Sequence, residues 1–401
     1  MEAVPRFYDA VLLEHFLTSR AMALVSGPRH VGKTVTCRRH ADARCDWDDL
    51  ADRELVLAGP ARLAAGLGAD RLSKTFPVVL FDELHRFPRW KPLLRRLDDA
   101  RGDRLRFIVA GSGRMDADRG RDRLTGRHLA YRMHPFSVAE TVRRDLPDPQ
   151  RVTRPPAAGD AADFEALWRH GGYPEPFLRR DSRFSRRWRA RRVEQLVRED
   201  IRDLTQIRQR DQMSLLGQRL ARTSARQLVY GARAAEIGVA IDTLRRWVAA
   251  LCDLHLGFLI RPWWRGVRRS LRREPRWFLR DWGDIPDEGD RAETFVACHL
   301  LKAVEGWSDL GLGRFELGYL RDKERRKVDF VVARDGRPWF LADVRRRREP
   351  VGAALAYHQA QLGAPFAFQV VVDANYADAD CFAAPGPPRV VPARTFLSQL
   401  L

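Results

Sequence analysis

The chain has 401 residues, 45% of them hydrophobic, enough for two or three domains with cores of their own and too many for a largely disordered chain. Lys and Arg number 72 against 53 Asp and Glu, a net charge of +19 that attracts polyanions, although only six of the 72 are lysine and the bias toward arginine reads equally as a compositional effect. No apolar run reaches the roughly 18 residues of a membrane span, Met1–Ala10 carries acids and no long apolar stretch, and five scattered cysteines suit a reducing compartment; a cytoplasmic chain with no signal peptide and no membrane contact is expected.

In chain order, Ala21–Ser26 reads as a short buried strand and Lys33–Ala41 as a helix. Ala61–Leu72 is weakly amphipathic and helical. Pro77–Phe81 is a continuous apolar run, the pattern of a strand covered on both faces of a parallel sheet. Trp90–Arg101 is a helix and Leu105–Ala110 another strand. This alternation predicts an α/β domain over residues 1–144. Residues 145–162 hold four prolines and read as a linker. Residues 163–283 are mostly helical. Within them Ala232–Leu251 has a helix, a glycine turn at Gly238 and a second helix capped by Asp242, with a wing strand expected in Leu251–Pro262. Residues 284–401 mix a helix with strand-like runs at Val328–Ala333, Trp339–Val344 and Phe368–Val372.

The stretch Gly27-Pro28-Arg29-His30-Val31-Gly32-Lys33-Thr34 matches GxxxxGK[ST] between a strand and a helix. Glycines let backbone N–H groups curl around phosphate oxygens, and the helix N-terminus adds partial positive charge. Lys33 is then the group for the terminal phosphates and Thr34 a ligand for Mg²⁺. Val78–Phe81 leads into Asp82 and Glu83, an apolar strand ending in two acids. In this context Asp82 would hold Mg²⁺ through water and Glu83 would polarise an attacking water. The next strand ends in Gly111-Ser112, where a hydroxyl is placed to sense a γ-phosphate or simply to end the strand.

Taken together, GPRHVGKT, FDELHRFPRWKPLLRRL, IVAGSGR, LTGR with HPFSVAE, and HGGYPE resemble the prokaryotic AAA-type P-loop ATPases that carry a C-terminal domain of unknown function with a restriction-endonuclease-like core. The resemblance implies a P-loop sheet of the additional-strand, catalytic-glutamate class, with Glu83 as that glutamate and ATP and Mg²⁺ as cofactors. It also implies that Gly172-Tyr173-Pro174 matches a segment that contacts adenine, an ordinary turn being the alternative. Arg127, in Thr125-Gly126-Arg127, is a candidate arginine finger or phosphate sensor, though one arginine among 66 is weakly singled out.

Two arginine runs flank the helix–turn–helix pattern. Residues 179–192 hold eight arginines around Trp188; residues 261–280 hold Arg261, Arg265, Arg268, Arg269, Arg272, Arg273, Arg276 and Arg280 with Trp263, Trp264 and Trp277 interleaved. Charge with aromatic faces suits contact with DNA or RNA, and solvated helix faces are the plain alternative. The helix–turn–helix is either a reader of a DNA groove or a packing module.

Val328-Asp329-Phe330 and Phe340-Leu341-Ala342-Asp343-Val344-Arg345 resemble the core of a PD-(D/E)xK nuclease. That resemblance implies Asp329 and Asp343 as metal ligands and Glu293 as an additional acid. The departure is Arg345 where a lysine is usual: a permanently charged guanidinium is no tunable base. The alternative is a degenerate scaffold whose acids pair with nearby arginines. The expected fold class is thus α/β: a P-loop sheet, a helical winged-helix-like middle, and an α/β nuclease-like C-terminal domain. The expected function is ATP hydrolysis that drives or gates a conformational change. The alternatives are an ATP-gated switch that binds DNA or a protein with little turnover, or an ATP-regulated metal-dependent nuclease; DNA or RNA, a protein and further copies of the chain are candidate partners.

Overall fold

A computed structural model describes residues 4–68, 76–113, 115, 124, 126–196, 209–263 and 274–401. The chain divides into two units: residues 1–134 with 144–146, and residues 135–143 with 147–401. Among the described residues no helix is long and apolar enough to cross a membrane, and all five cysteines are free thiols.

The first unit runs α1 (Phe7–Thr18), β1 (Met22–Ser26), α2 (Lys33–Arg38), β2 (Ala43–Asp46), α3 (Leu50–Leu57), α4 (Pro60–Gly66), β3 (Val78–Asp82), a 3₁₀ turn (Leu84–Arg86), α5 (Trp90–Arg101), β4 (Arg106–Gly111) and β5 (His128–Arg132). The five strands are all parallel in the order β2-β3-β4-β1-β5. Strands β1, β3 and β4 are buried along their whole length, as expected of central strands covered by helices on both faces. Because β4 lies between β1 and β3, the C-terminal ends of all three open onto one edge of the sheet. The loop after β1, the acids ending β3 and the Gly111-Ser112 turn after β4 meet there. Two helical expectations shorten: Lys33–Ala41 becomes Lys33–Arg38, and Ala61–Leu72 becomes Pro60–Gly66, started by a proline at the first helical position.

The second unit begins with α6 (Val138–Val142). Its Glu140 carboxylate pairs with Lys302 in the interior, and the backbone N–H of Val138 donates to His299 Nε2 at 3.0 Å. Residues 147–160 are not a free spacer: Val152, Thr153 and Arg154 are buried, the Arg154 N–H donates to the Gln399 carbonyl at 2.9 Å, and Ala157 N–H to Ser398 Oγ at 3.2 Å. Prolines there set an extended path along the C-terminal segment. The helices α7 (Ala161–His170), α8 (Pro174–Arg179), α9 (Ser182–Gln195) and α10 (Arg210–Leu220) follow, then β6 (Arg226–Gln227), α11 (Tyr230–Ile237), α12 (Ile241–Asp253), β7 (Gly257–Pro262) and β8 (Arg276–Leu279). Gly238 ends α11 in the left-handed conformation. Asp242 does not cap: the N-cap is Ala240, and Asp242 lies exposed inside the first turn of α12.

The chain closes with α13 (Glu288–Asp309), β9 (Phe315–Arg321), β10 (Lys327–Arg334), β11 (Arg337–Arg345), α14 (Ala353–Leu362), β12 (Phe366–Val371), β13 (Arg389–Pro392) and α15 (Ala393–Ser398). The sheet does not stop at residue 284. Strand β7 pairs in parallel with β9, so one sheet runs β13-β12-β11-β10-β9-β7-β8-β6 through both expected regions. Helix α13, capped by Asp287, packs against β9, β10 and β11.

Candidate nucleotide site and the carboxylate cluster

Gly32 has φ of 102°, a conformation open to glycine at little cost, and it turns the loop directly into α2. His30 also has a left-handed φ, of 62°, and stands at the exposed lip. Arg6, buried at the start of α1, fixes the loop from behind, donating to the Val31 carbonyl at 2.6 Å and to the His134 carbonyl at 2.8 Å. Lys33 is buried and donates to the Gly27 and Pro28 carbonyls, each at 2.8 Å. Burial lowers its pKa below the usual lysine range while Glu83 and Asp82 pull it upward. Arg29 is half-buried in the same loop.

Asp82, at the end of β3, lies beside the Thr34 hydroxyl, which favours its charged form. Arg44 Nη2 stands 3.3 Å from its Oδ2, and its Oδ1 is buried without a hydrogen-bond partner. Burial pushes this carboxyl above the usual range, helped by Glu83 and Asp46. An orphaned carboxylate oxygen beside a threonine hydroxyl fits a hard cation such as Mg²⁺, which takes one or two protein oxygens and keeps several waters. Glu83 has φ of 52°, and its Oε2 accepts from Ser112 Oγ at 2.9 Å. The structure thus brings together Gly27, Pro28, Arg29, His30, Val31, Gly32, Lys33, Thr34, Asp82, Glu83 and Ser112.

Residues 19–142 match the family model described as "AAA domain". The first unit carries a P-loop domain of the AAA type. Residues 161–284 match a model described as a domain of unknown function (DUF8612). The chain is similar to uncharacterized proteins of Mycobacterium bovis and Mycobacterium tuberculosis, each 26% identical over 359 residues that span 85% of this chain and 74% of the relative. Among solved structures it is similar to C. elegans PCH-2, at 12% identity and a TM-score of 0.23 over 62% of this chain and 65% of that one. It is also similar to Drosophila ORC bound to GC-rich DNA and Cdc6, at 12% identity and a TM-score of 0.21 over 73% and 89%. Likeness at that level adds nothing to the assignment.

Arg127 is not beside the loop of its own AAA domain. Its carbonyl accepts from Met22 N–H, at the N-terminal end of β1, whereas the loop leaves the C-terminal end. Its guanidinium is partly exposed and paired with Asp98 Oδ2 at 2.7 Å and Asp99 Oδ1 at 2.6 Å on α5. A sensor role within the same chain does not fit this placement. Pro174 is the first residue of α8 in the second unit, and Tyr173 beside it is fully buried, with its hydroxyl against Arg192.

The arginine runs divide. Arg265, Arg268, Arg269 and Arg272 lie outside the described residues. Arg276 and Arg280 are buried, as are Trp263 and Trp277, so these four are core rather than a stacking surface. In the first run Arg189 and Arg192 are buried, and Trp188 donates its Nε1–H to Glu175 Oε2 at 2.9 Å. Arg183, Arg186, Arg187 and Arg191 are exposed along one face of α9, at the three- and four-residue spacing that aligns side chains on a helix.

Glu293, Asp329, Asp343 and Arg345 do converge, from α13, β10 and β11. The cluster is closed by cations that sequence reasoning did not assign to it. Arg276 pairs with Glu293 and stands 3.5 Å from Asp329 Oδ1; Lys327 Nζ is 2.6 Å from Asp329 Oδ1 and 3.3 Å from Glu293 Oε1. Arg345 Nη2 is 2.7 Å from Asp343 Oδ2, and the Val344 N–H donates to Asp329 Oδ2 at 3.0 Å. Among the described residues no group of three His, Cys, Asp or Glu is arranged to hold a metal. The metal-ligand roles implied for Asp329 and Asp343 do not fit these pairings, in which guanidinium and ammonium groups balance the carboxylates; the alternative, acids paired with nearby arginines, does. The strand pattern pointed to the acids; Arg276 was hidden inside an arginine run.

Asp343 and Asp329 lie side by side, and of the two it is Asp343 whose charged form is disfavoured. Burial, then the Asp329 charge, push Asp343 up to about 8, while Lys327 and Arg276 hold Asp329 below the usual range despite its burial. A carboxyl raised in the folded state contributes stability that is full at acid pH and is lost as pH rises toward and through 8. The second unit should thus lose stability progressively between about pH 4 and about pH 8, and level off above that. Asp343→Asn keeps a donor toward Asp329 without the ionisation, so its stability should change less over that range. Thermal unfolding of both proteins across that pH series checks this; parallel curves would contradict it.

Proposed function

We propose that the AAA domain binds ATP with Mg²⁺ and hydrolyses it, and that turnover drives or gates a conformational change. The observation that carries this is the meeting of Lys33, Thr34, Asp82, Glu83 and Ser112 at one edge of the parallel sheet, over a loop whose N–H groups lead into α2. Lys33 leaves the Gly27 and Pro28 carbonyls for the β- and γ-phosphates. Thr34 and Asp82 would hold the cation, which would supply charge neutralisation to the phosphates. Glu83 orients water in line with the γ-phosphate and accepts its proton, and Ser112 reads the γ-phosphate. The test is phosphate release from MgATP by the full chain: turnover that Lys33→Ala abolishes supports the reading, and turnover that survives Lys33→Ala overturns it.

A second reading concerns nucleic acid. The order α10, β6, α11, α12, β7, β8, with β6, β8 and β7 antiparallel, supports a winged-helix module. The exposed arginine face of α9 supports contact with phosphates, and Arg265, Arg268, Arg269 and Arg272 belong to the same proposal. If six or more phosphates are neutralised, affinity for DNA or RNA should fall about 10³–10⁵-fold between 50 and 200 mM salt. Replacing Arg183, Arg186, Arg187 and Arg191 with alanine should flatten the salt slope by about one unit for each phosphate no longer neutralised. Replacing Arg95, Arg101, Arg104 and Arg314 should change it little; equal effects from both sets would make the charge compositional. The carboxylate cluster supports a scaffold that does not cleave DNA, and robust Asp343-dependent cleavage with Mg²⁺ or Mn²⁺ would contradict that.

A further inference from the structure

His85 lies in the 3₁₀ turn two residues beyond Glu83 and takes no part in the nucleotide chemistry described above. Its side chain is only 9% exposed, and both ring nitrogens are buried without a hydrogen-bond partner. Leaving such a group unsatisfied costs about 1–3 kcal/mol, so it calls for an explanation. The ring packs against the end of β4: a Cβ added at Gly111 would collide with it, and one at Gly113 would come within 3.0 Å of its Cδ2 and Nε2. Those two glycines flank Ser112. On the other side, His85 Nδ1 stands 3.9 Å from Glu83 Oε2, the same oxygen that accepts from Ser112. Burial, and then the charges of Lys33, Arg86 and Arg29, lower its pKa to about 4. The ring is neutral at pH 7, with one N–H to give.

One hydroxyl cannot donate one proton to two acceptors. Ser112 donates to Glu83 in this structure, so for Ser112 to turn its O–H to a γ-phosphate it must release the carboxylate. A carboxylate released into a buried site needs another donor. The imidazole is next to it, is held by packing rather than by hydrogen bonds, and has its donor uncommitted.

We propose that His85 is a positioning residue for Glu83: when the γ-phosphate draws the Ser112 hydroxyl, Glu83 passes to the His85 ring N–H, which holds the carboxylate where it faces the attacking water. This rests on the hydrolytic reading above and adds a two-position glutamate governed by the γ-phosphate. The handover is a rotation with an exchange of donors; no proton changes owner.

The test pairs turnover with a direct view of the ring. His85→Ala should lower kcat about 10²-fold, the scale of a misplaced catalytic group, with MgATP affinity within twofold of wild type. His85→Asn, which retains an N–H on a short side chain, should recover at least tenfold of that loss. A purely structural role would instead lower affinity and stability together, with no recovery by Asn. In protein labelled with ¹⁵N-histidine, the His85 resonances, identified by their loss in His85→Asn, should shift on adding Mg²⁺ with ADP–beryllium fluoride and stay in place with ADP alone. Wild-type turnover with kcat of His85→Ala within threefold of it overturns the inference and leaves the hydrolytic reading intact. Absence of wild-type turnover overturns the hydrolytic reading; the resonance shift then decides the handover alone, and identical spectra with the two ligands overturn it.

Discussion

Lys33→Ala is expected to weaken MgATP binding by about 100-fold or more, the cost of removing one charged partner from a buried, hydrogen-bonded pair. The ammonium is buried beneath the loop and held by the Gly27 and Pro28 carbonyls, so it reaches phosphates with little loss of side-chain freedom. Phosphate oxygens would also reverse the effect of burial on this group by favouring its charged form. Lys33→Met keeps the apolar stem and separates the charge from the packing; it should bind as poorly as the alanine variant. Calorimetric titration with MgATP checks both, with thermal unfolding of the apo proteins to show that the domain remains folded. Affinity within threefold of wild type would mean that phosphates are held elsewhere.

Arg276→Ala should destabilise the second unit by about 3–5 kcal/mol, the cost of removing one partner of a buried ion pair and leaving the other uncompensated. Its guanidinium pairs with Glu293, approaches Asp329 and donates to the Ala225 carbonyl, all in the interior. Lys327 remains, but it is partly exposed and already lies 2.6 Å from Asp329, so it cannot balance both acids. The destabilisation should shrink as pH falls, because protonating Glu293 or Asp329 removes the charge left unpaired. A double variant, Arg276→Met with Glu293→Gln, should recover part of the stability, since residues in one network do not act independently. Denaturant unfolding followed by tryptophan fluorescence suits this: nine of the eleven tryptophans belong to the second unit. A change below about 1 kcal/mol, the scale of a surface pair, would show that Arg276 does not hold the cluster.

Lys33 and Arg276 differ in how legible they are from sequence. The proposed nucleotide site is legible because its pattern is local: a glycine turn, Lys33 and Thr34 within eight residues, and an apolar strand that can only be buried, ending in two acids. Central strands β3 and β4 announce themselves by unbroken apolar runs, and α5 by its period. Edge strands do not. Strand β2, Ala43–Asp46, has Arg44 and Asp46 partly open to solvent, and β5, His128–Arg132, buries only Tyr131, so neither has a pattern that separates it from a loop. The pairing of β7 with β9 joins segments more than 50 residues apart, and no local period records it. Arginine was the hardest letter to read. In a chain with 66 of them, Arg276 in the core, Arg183 on an exposed helix face and Arg127 paired with two aspartates look alike in sequence. Composition sets their number; only the folded neighbours set their work. His85 was equally silent, because the glycines that admit its ring belong to a strand end 26 and 28 residues further along.

The most direct measurement is the separation of binding from turnover in Glu83→Gln. Glutamine keeps the size of the side chain and still accepts from Ser112, but it cannot take a proton from water. MgATP affinity should therefore stay within about threefold of wild type while phosphate release falls by about 10² or more, the scale of losing general base catalysis. Phosphate release by Glu83→Gln at the wild-type rate, with ATP bound equally well, would contradict the assignment of Glu83 and with it the hydrolytic account of this site.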